Sequence, residues 1–287
     1  MTSLQWQPWK PLSPAVQCHP ETLAEILDEG QAFRWNPDKY DAWQGTWGPC
    51  LVKVRSHSVR AQLEWTTPKP HAENNVAAAI SEYFDAYRDY RSIEHDLPWR
   101  SDAVLAAAMN AFPGTRILRQ PPGETLLAFL CSSTKRIPQI KQCCERIADR
   151  HGSPIPSTPV KCLPDWKQLA EIPEKDLRAC GIGYRARYVY QCAQLLREDP
   201  NWLDRVAEQP YEDARKELLK LPGVGNKIAD CVLLYGMGKM EAFPVDTWVH
   251  KIMTQLYGLQ GWSLEQIAHF GRLHFGPAAG LAQQYLF

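Results

Sequence analysis

Lys227 and Asp246, an amine and a carboxylate nineteen residues apart, have the types and spacing for covalent chemistry on a sugar. Lys227 lies in Leu221-Pro-Gly-Val-Gly-Asn-Lys-Ile-Ala-Asp-Cys231, and Asp246 in Pro244-Val-Asp-Thr-Trp248. Cleaving an N-glycosidic bond develops positive charge on the sugar, which a carboxylate stabilises. An unprotonated amine attacking C1′ gives a covalent Schiff-base intermediate. Plainer roles are open to both: a Lys beside a glycine-rich turn can merely touch phosphate, and an Asp before Thr-Trp-Val-His-Lys is well suited to capping a helix. For Asp246 the two roles are compatible.

The elements that must hold this pair follow from the flanking residues. Residues 211–220 are strong helix formers with Ala214, Leu218 and Leu219 on one side, and Pro222, Gly223 and Gly225 then stop the helix in a tight turn. A second helix begins near Asn226, with Ile228, Ala229, Val232 and Leu233 at helical spacing and Lys227 and Cys231 sharing another face. Residues 211–235 therefore read as a helix-hairpin-helix. Its two glycines let backbone N–H groups approach a phosphate, and the helix N-terminus adds partial positive charge. Such a hairpin grips nucleic acid without reading sequence. A helix from 227 to 235 carries the chain roughly 12 Å away, and residues 236–245 are enough to bring Asp246 back to face the amine.

Three further stretches make the pattern specific. The hairpin with Pro244-Val-Asp-Thr-Trp248, together with Gly181-Ile-Gly-Tyr-Arg-Ala-Arg-Tyr188, Gly30-Gln-Ala-Phe-Arg-Trp35 and Phe129-Leu-Cys-Ser-Ser133, resembles the eukaryotic-type 8-oxoguanine DNA glycosylase/AP lyases of the helix-hairpin-helix superfamily, from about residue 30 to the last residue. The resemblance implies Lys227 as nucleophile and Asp246 as its electrostatic partner. It implies a base pocket lined by Gly30, Phe33, Cys231, Gln283 and Phe287. DNA contacts would come from Tyr184, Arg185, Arg187, Gly223, Gly225, Trp248, Thr134 and Gln139, with Tyr184 and Arg185 entering the space around the unpaired partner base. The backbone carbonyls of Leu219, Leu221 and Val224 would be able to hold a monovalent cation, structural in role; no cofactor is expected. The implied activity is bifunctional, flipping and excising 8-oxoguanine from duplex DNA and then cleaving by β-elimination. Two alternatives stay open: a glycosylase for another damaged purine, and a non-catalytic helix-hairpin-helix DNA-binding protein.

The pocket also has a reading from chemistry. Oxidation at C8 turns guanine N7 from acceptor to donor, so a fixed carbonyl such as that of Gly30 gains a hydrogen bond from the lesion and meets a lone pair in guanine. Gly30 is equally open to closing a helix running from Glu21 to Glu29, Phe287 to a core role, and Cys231 to plain packing. Three departures from the family pattern stand out: Thr134-Lys135-Arg136 replaces an Asn-rich run, Gln139 stands where an Arg reads the partner base, and Trp248 replaces a His. Relaxed reading of the partner base is the expectation. The last residue is Phe287, which reads as a compact prokaryotic version.

Composition sets the remaining bounds. Lys plus Arg and Asp plus Glu both number 32, so a nucleic-acid grip must come from a local basic face; Arg178, Arg185, Arg187, Lys220, Lys227 and Lys251 are the candidates. The nine cysteines include no Cys-x-x-Cys and none follows Cys231, which gives no metal or iron–sulfur pattern. The adjacent Cys143 and Cys144, with no apolar segment near Met1, fit a reducing cytoplasm, with the protein on the nucleoid of a prokaryote. No run is long enough to span a membrane, and a monomer acting on double-stranded DNA that contains oxidised guanine is expected. His250 and His274 show no ligand spacing.

The expected fold is α+β: a small N-terminal antiparallel sheet domain over residues 1–95, packed on a helical domain over 96–287. Val52 and Val54, then Val59, Ala61, Leu63 and Trp65, alternate as strands joined near Ser56-His57-Ser58. Helices are expected near 74–90, 101–111, 123–131, 137–150, 165–171, 174–180, 185–197, 211–220, 226–235, 247–257 and 263–273, with a surface loop over 153–164.

Overall fold

The computed structural model describes residues 4–57, 59–69 and 73–287. The first elements are β1 (Lys10–Pro11), α1 (Pro20–Asp28), β2 (Trp35–Pro37), β3 (Trp43–Trp47), β4 (Cys50–His57) and β5 (Gln62–Thr66). The strands form one antiparallel sheet in the order β1-β5-β4-β3-β2. Val52 and Val54 point into the core as the alternation requires. Val59 and Ala61 do not belong to the strand: Val59 is 87% exposed, and Ala61, at φ +47°, donates to the His57 carbonyl in the turn. The alternation ran through a turn, and β5 begins only at Gln62; Ser58 lies outside the described residues. Trp35 fills the sheet core against Trp47, Tyr83 and Phe84, and its indole N–H donates to the Tyr83 hydroxyl. Gly45 is glycine because a Cβ there would come within 2.3 Å of that indole.

The helices that follow are α2 (Glu73–Tyr83), α3 (Tyr90–Asp96), α4 (Ala103–Ala111), α5 (Pro122–Ser132), α6 (Ile137–His151), α7 (Trp166–Ala170), α8 (Glu174–Leu177) and α9 (Ala186–Glu198). Then come α10 (Trp202–Glu208), α11 (Tyr211–Leu218), α12 (Asn226–Cys231), α13 (Thr247–Leu256), α14 (Leu264–Phe275) and α15 (Ala279–Leu286). The helix expected over 74–90 stops at Tyr83 because Asp85 sits at φ +48° with its carboxylate taken by Arg88. The chain then restarts as α3, capped by Asp89. The expected 174–180 helix is likewise split: past Leu177 it widens into a π-helical turn, and Gly181 at φ +87° ends it. The 153–164 loop is pinned by buried Ile155.

Two hydrophobic clusters result. One, spanning Leu12 to Phe84 with Leu118, fills the sheet and α1; the other holds the helices from Tyr90 onward and takes in Phe33. Phe33 and Leu118 are thus crossing points, where the Gly30–Trp35 loop meets the helical body. Charges seal the same seam: Arg34 pairs with Glu145 through two 3.1 Å bonds, and Glu124 of α5 accepts the Gly48 N–H at 2.7 Å. Among the described residues, no helix is long and apolar enough to cross a membrane.

Candidate active site

The hairpin forms as its residues require. Gly223 has φ +77°, and a Cβ there would strike the Tyr188 ring at 2.5 Å, so packing and backbone both demand glycine. Gly225 differs. Nothing lies within 4 Å of the position a Cβ would take, so this glycine leaves the α12 N-terminus open to an incoming group. Past Cys231 the helix widens into a π-helical turn, Val232–Gly236, a distortion that often marks functional sites.

α12 lines one side of a cleft of about 1680 Å³. That exceeds the roughly 300–1,000 Å³ of small-molecule sites, and suits part of a macromolecule. Nζ of Lys227 lies 4.7 Å from the centre of the Phe129 ring, and its charge acts on the Cys231 thiol. Burial pushes that thiol up to about 11, so it stays neutral at ordinary pH and does not compete as a thiolate. Phe129 stacks on Tyr235 at 5.7 Å and meets the edge of Phe33 at 5.2 Å, giving the lysine an aromatic floor. Asp246 caps α13: its Oδ1 accepts from the Trp248 and Val249 N–H groups, each at 2.9 Å. Its other oxygen has no protein partner among the described residues. Asp246 and Lys227 line the same cleft, with no ion pair between them among the described residues. The backbone return brings both to one cavity.

The opposite walls are Gly30 and α15. Gly30 ends the turn after α1 at φ +99°, and a Cβ there would lie 3.8 Å from Ile137 and 4.0 Å from the Phe287 ring, so the two predicted pocket residues face each other. Phe287 is 36% exposed, too open for a core aromatic. Gln283, beside it on α15, is buried with its side-chain oxygen unpartnered and lines the cleft. A buried acceptor without a partner costs about 1–3 kcal/mol, a cost that a ligand's donor would remove.

With this geometry in place, the comparisons with known proteins decide the family. Residues 15–126 match the model of the 8-oxoguanine DNA glycosylase N-terminal domain, and residues 127–271 match that of the HhH-GPD superfamily of base excision DNA repair proteins. The chain belongs to this family. It is 44% identical, over 83% of its length and 82% of the relative's, to a probable N-glycosylase/DNA lyase of Methanothermobacter thermautotrophicus. It is 30% identical to the N-glycosylase/DNA lyase OGG1 of Arabidopsis thaliana, over 93% of this chain and 76% of that one. Among solved structures it is similar to Clostridium acetobutylicum 8-oxoguanine glycosylase/lyase in complex with double-stranded DNA containing cytosine opposite 8-oxoguanine. There the TM-score is 0.84 at 35% identity, covering 92% of this chain and 89% of that one.

The family's partner-base residues are arranged differently from the expectation. Arg185 is only 4% exposed; it donates to the Thr134 hydroxyl at 2.7 Å and the Tyr184 hydroxyl at 3.1 Å, and its guanidinium lies over the Tyr184 ring. It does not enter the cleft. Tyr184 itself is exposed. Gln139 lines the cleft, but its carbonyl oxygen accepts the Arg136 N–H and so closes the N-terminus of α6. Trp248 is exposed at the cleft with Lys251 above its ring. The expected basic face is thinner than its six members: Arg178 is paired with Glu174, Lys220 with Glu217, and Arg185 is buried. Arg187 is exposed and has no protein partner among the described residues. Among the possible cation-binding carbonyls, that of Leu221 already accepts the Val224 N–H at 3.1 Å, which leaves it a second lone pair. All nine cysteines are free thiols. His274 pairs with Asp102, away from the cleft, whereas His250 lines it.

Proposed function

We propose that the protein is a DNA N-glycosylase/AP lyase that excises 8-oxoguanine from duplex DNA, with Lys227 as nucleophile and Asp246 as its electrostatic partner. The observation that carries this reading is that Lys227, Asp246 and Gln283 line one cleft together with Gly30 and Phe287.

The chemistry then runs as follows. The hairpin turn at Gly223–Gly225 and the α12 N-terminus hold backbone phosphate while the damaged nucleotide is extruded by roughly 180°. The base enters between Phe287 and Cys231, an apolar plate on each face, and the Gly30 carbonyl accepts the N7–H that only the oxidised base carries. A site built for that bond rejects a base lacking it by about 10⁴. Nζ of Lys227 bonds to C1′ as the C1′–N9 bond breaks; the electron pair leaves with the base, which takes a proton from the attacking nitrogen. The Asp246 carboxylate stabilises the positive sugar during this step. Ring opening gives the Schiff base, and loss of a C2′ proton with cleavage of the C3′–O bond completes the lyase step. A monovalent cation on the carbonyls of Leu219, Leu221 and Val224 would stiffen the hairpin and take no part in these steps. Substrate on the chromosome puts the protein on the nucleoid, in the cytoplasm of a prokaryote.

The test is incubation with a duplex carrying one 8-oxoguanine in the presence of borohydride. The wild type should form a covalent protein–DNA adduct, and Lys227→Gln should bind the duplex without forming it. Full adduct formation by Lys227→Gln would remove Lys227 from the nucleophile's role.

A further inference from the structure

Three walls of the cleft come from segments far apart in sequence: Gly30 from the turn after α1, Cys231 from α12, and Gln283 with Phe287 from α15. Discrimination by one hydrogen bond requires their spacing to hold within about 0.5 Å. A single segment, residues 116–120, touches what lies next to two of these walls, and one of its partners, Tyr235, reaches the neighbour of the third.

Gln31, adjacent to Gly30, is fully buried. Its side-chain amide pairs with this segment as a neighbouring peptide unit would: Nε2 donates to the Arg116 carbonyl at 3.0 Å, and Oε1 accepts the Leu118 N–H at 3.0 Å. The Gln31 backbone carbonyl accepts Nε2 of Gln120 at 2.6 Å. Gln120 in turn donates its backbone N–H to the Tyr235 carbonyl at 2.7 Å, inside the π-helical turn one helical turn beyond Cys231. The Tyr235 hydroxyl donates to Oε1 of Gln284 at 3.1 Å, and Gln284 adjoins Gln283. Tyr235 and Gln284 are both buried. Both ends of the Gln31 amide are used internally, in contrast to Gln283, whose side-chain oxygen is buried without a partner.

Resting on the reading of the cleft as an 8-oxoguanine pocket, we infer that Gln31 and Gln120, with the Tyr235–Gln284 pair, are positioning residues that tie the three walls of the base pocket together through residues 116–120 and so set its selectivity for the oxidised base. None of the four touches the reacting atoms. A misplacement of about 1 Å caused by a change far from the chemistry costs up to about a hundredfold in rate.

The lyase step supplies the control, because a duplex with a preformed abasic site has no base to seat. Gln31→Leu should lower single-turnover release of 8-oxoguanine by about ten- to a hundredfold, and cleavage at a preformed abasic site by less than about threefold. Gln120→Ala, a milder change at a half-buried residue, should shift the same ratio in the same direction. Amide hydrogen exchange on the free protein should quicken not only in residues 116–120 but also in 232–236 and 280–287. Equal losses in both steps, no loss in a variant that melts like wild type, or faster exchange confined to 116–120 would each overturn the inference. If Gln31→Leu does not fold, Gln120→Ala decides by the same criteria. A wild type that cuts abasic DNA but releases no 8-oxoguanine would sink the reading of the pocket instead, and the exchange measurement would still judge the tether.

Discussion

The lesion side of the cleft and the side that would meet the partner base use polar groups in opposite ways. On the lesion side, one oxygen of Asp246 and the side-chain oxygen of Gln283 are left without protein partners, and Phe287 lies close to Gly30. On the other side internal bonds fix the side chains in place: Thr134 accepts from a buried Arg185, and Oε1 of Gln139 accepts from the Arg136 N–H. A side chain pinned in this way is less free to turn toward a base edge. The expectation is that selectivity resides with the extruded base and that its partner is left largely unread.

The largest effects should fall on the lesion side. Asp246→Asn keeps an acceptor for the α13 cap but removes the charge, and should slow base release by roughly 10²–10³-fold with a small change in melting temperature; an unchanged rate, measured under single turnover, would confine Asp246 to capping. Next in size is Phe287→Ala. Losing one stacked base contact, worth about 1–3 kcal/mol, should weaken excision by about ten- to a hundredfold. Truncating a core aromatic would instead cost ~3–5 kcal/mol of stability, so melting and excision measured on the one variant separate the readings.

On the partner side the same operations should move stability more than selectivity. Arg185→Ala breaks a buried set of bonds and should cost about 1–3 kcal/mol in a urea titration, while Gln139→Ala should leave the order of partner preference unaltered. A variant at either position that gained or lost a preference for one partner base would place a reader on this side after all.

The smallest effect concerns alkaline pH and does not separate the two sides. Burial pushes the Cys231 and Cys50 thiols up to about 11, and those of Cys18, Cys144 and Cys192 to about 12, from 9.0. The unfolded chain ionises first as pH rises, so this contribution is fully present below about pH 9 and declines from there toward 11–12. Urea midpoints should hold steady up to about pH 9 and fall above it; a midpoint that rises over that interval would contradict the burial of these thiols.

Much of this was legible in the sequence because local rules and tertiary demand agreed. The hairpin's glycines, the Asp246 cap and the helices from α4 to α9 follow from turn chemistry and apolar spacing, and the structure departs from them only at their ends. What escaped depends on contacts that no local pattern carries. α15 was missed, although its small residues had a reason: a Cβ on Gly280 would come within 2.4 Å of Leu234. Arg185 reads as a surface cation until Thr134 and Tyr184 are seen to enclose it. Lys227 and Cys231 were placed on one helical face, yet only the structure sets the amine over the Phe129 ring. The role of Gln31 was hidden because its partners lie at Arg116 and Leu118.

The comparison is tested most directly by single-turnover excision from duplexes that cross two bases, 8-oxoguanine and guanine, with four partners, C, T, G and A. The account predicts that changing the extruded base alters the rate by about 10⁴. Changing the partner should alter it by much less than the ~1–3 kcal/mol that a bidentate reader imposes. A preference of about a hundredfold or more for one partner, or comparable release of guanine and 8-oxoguanine, would contradict it.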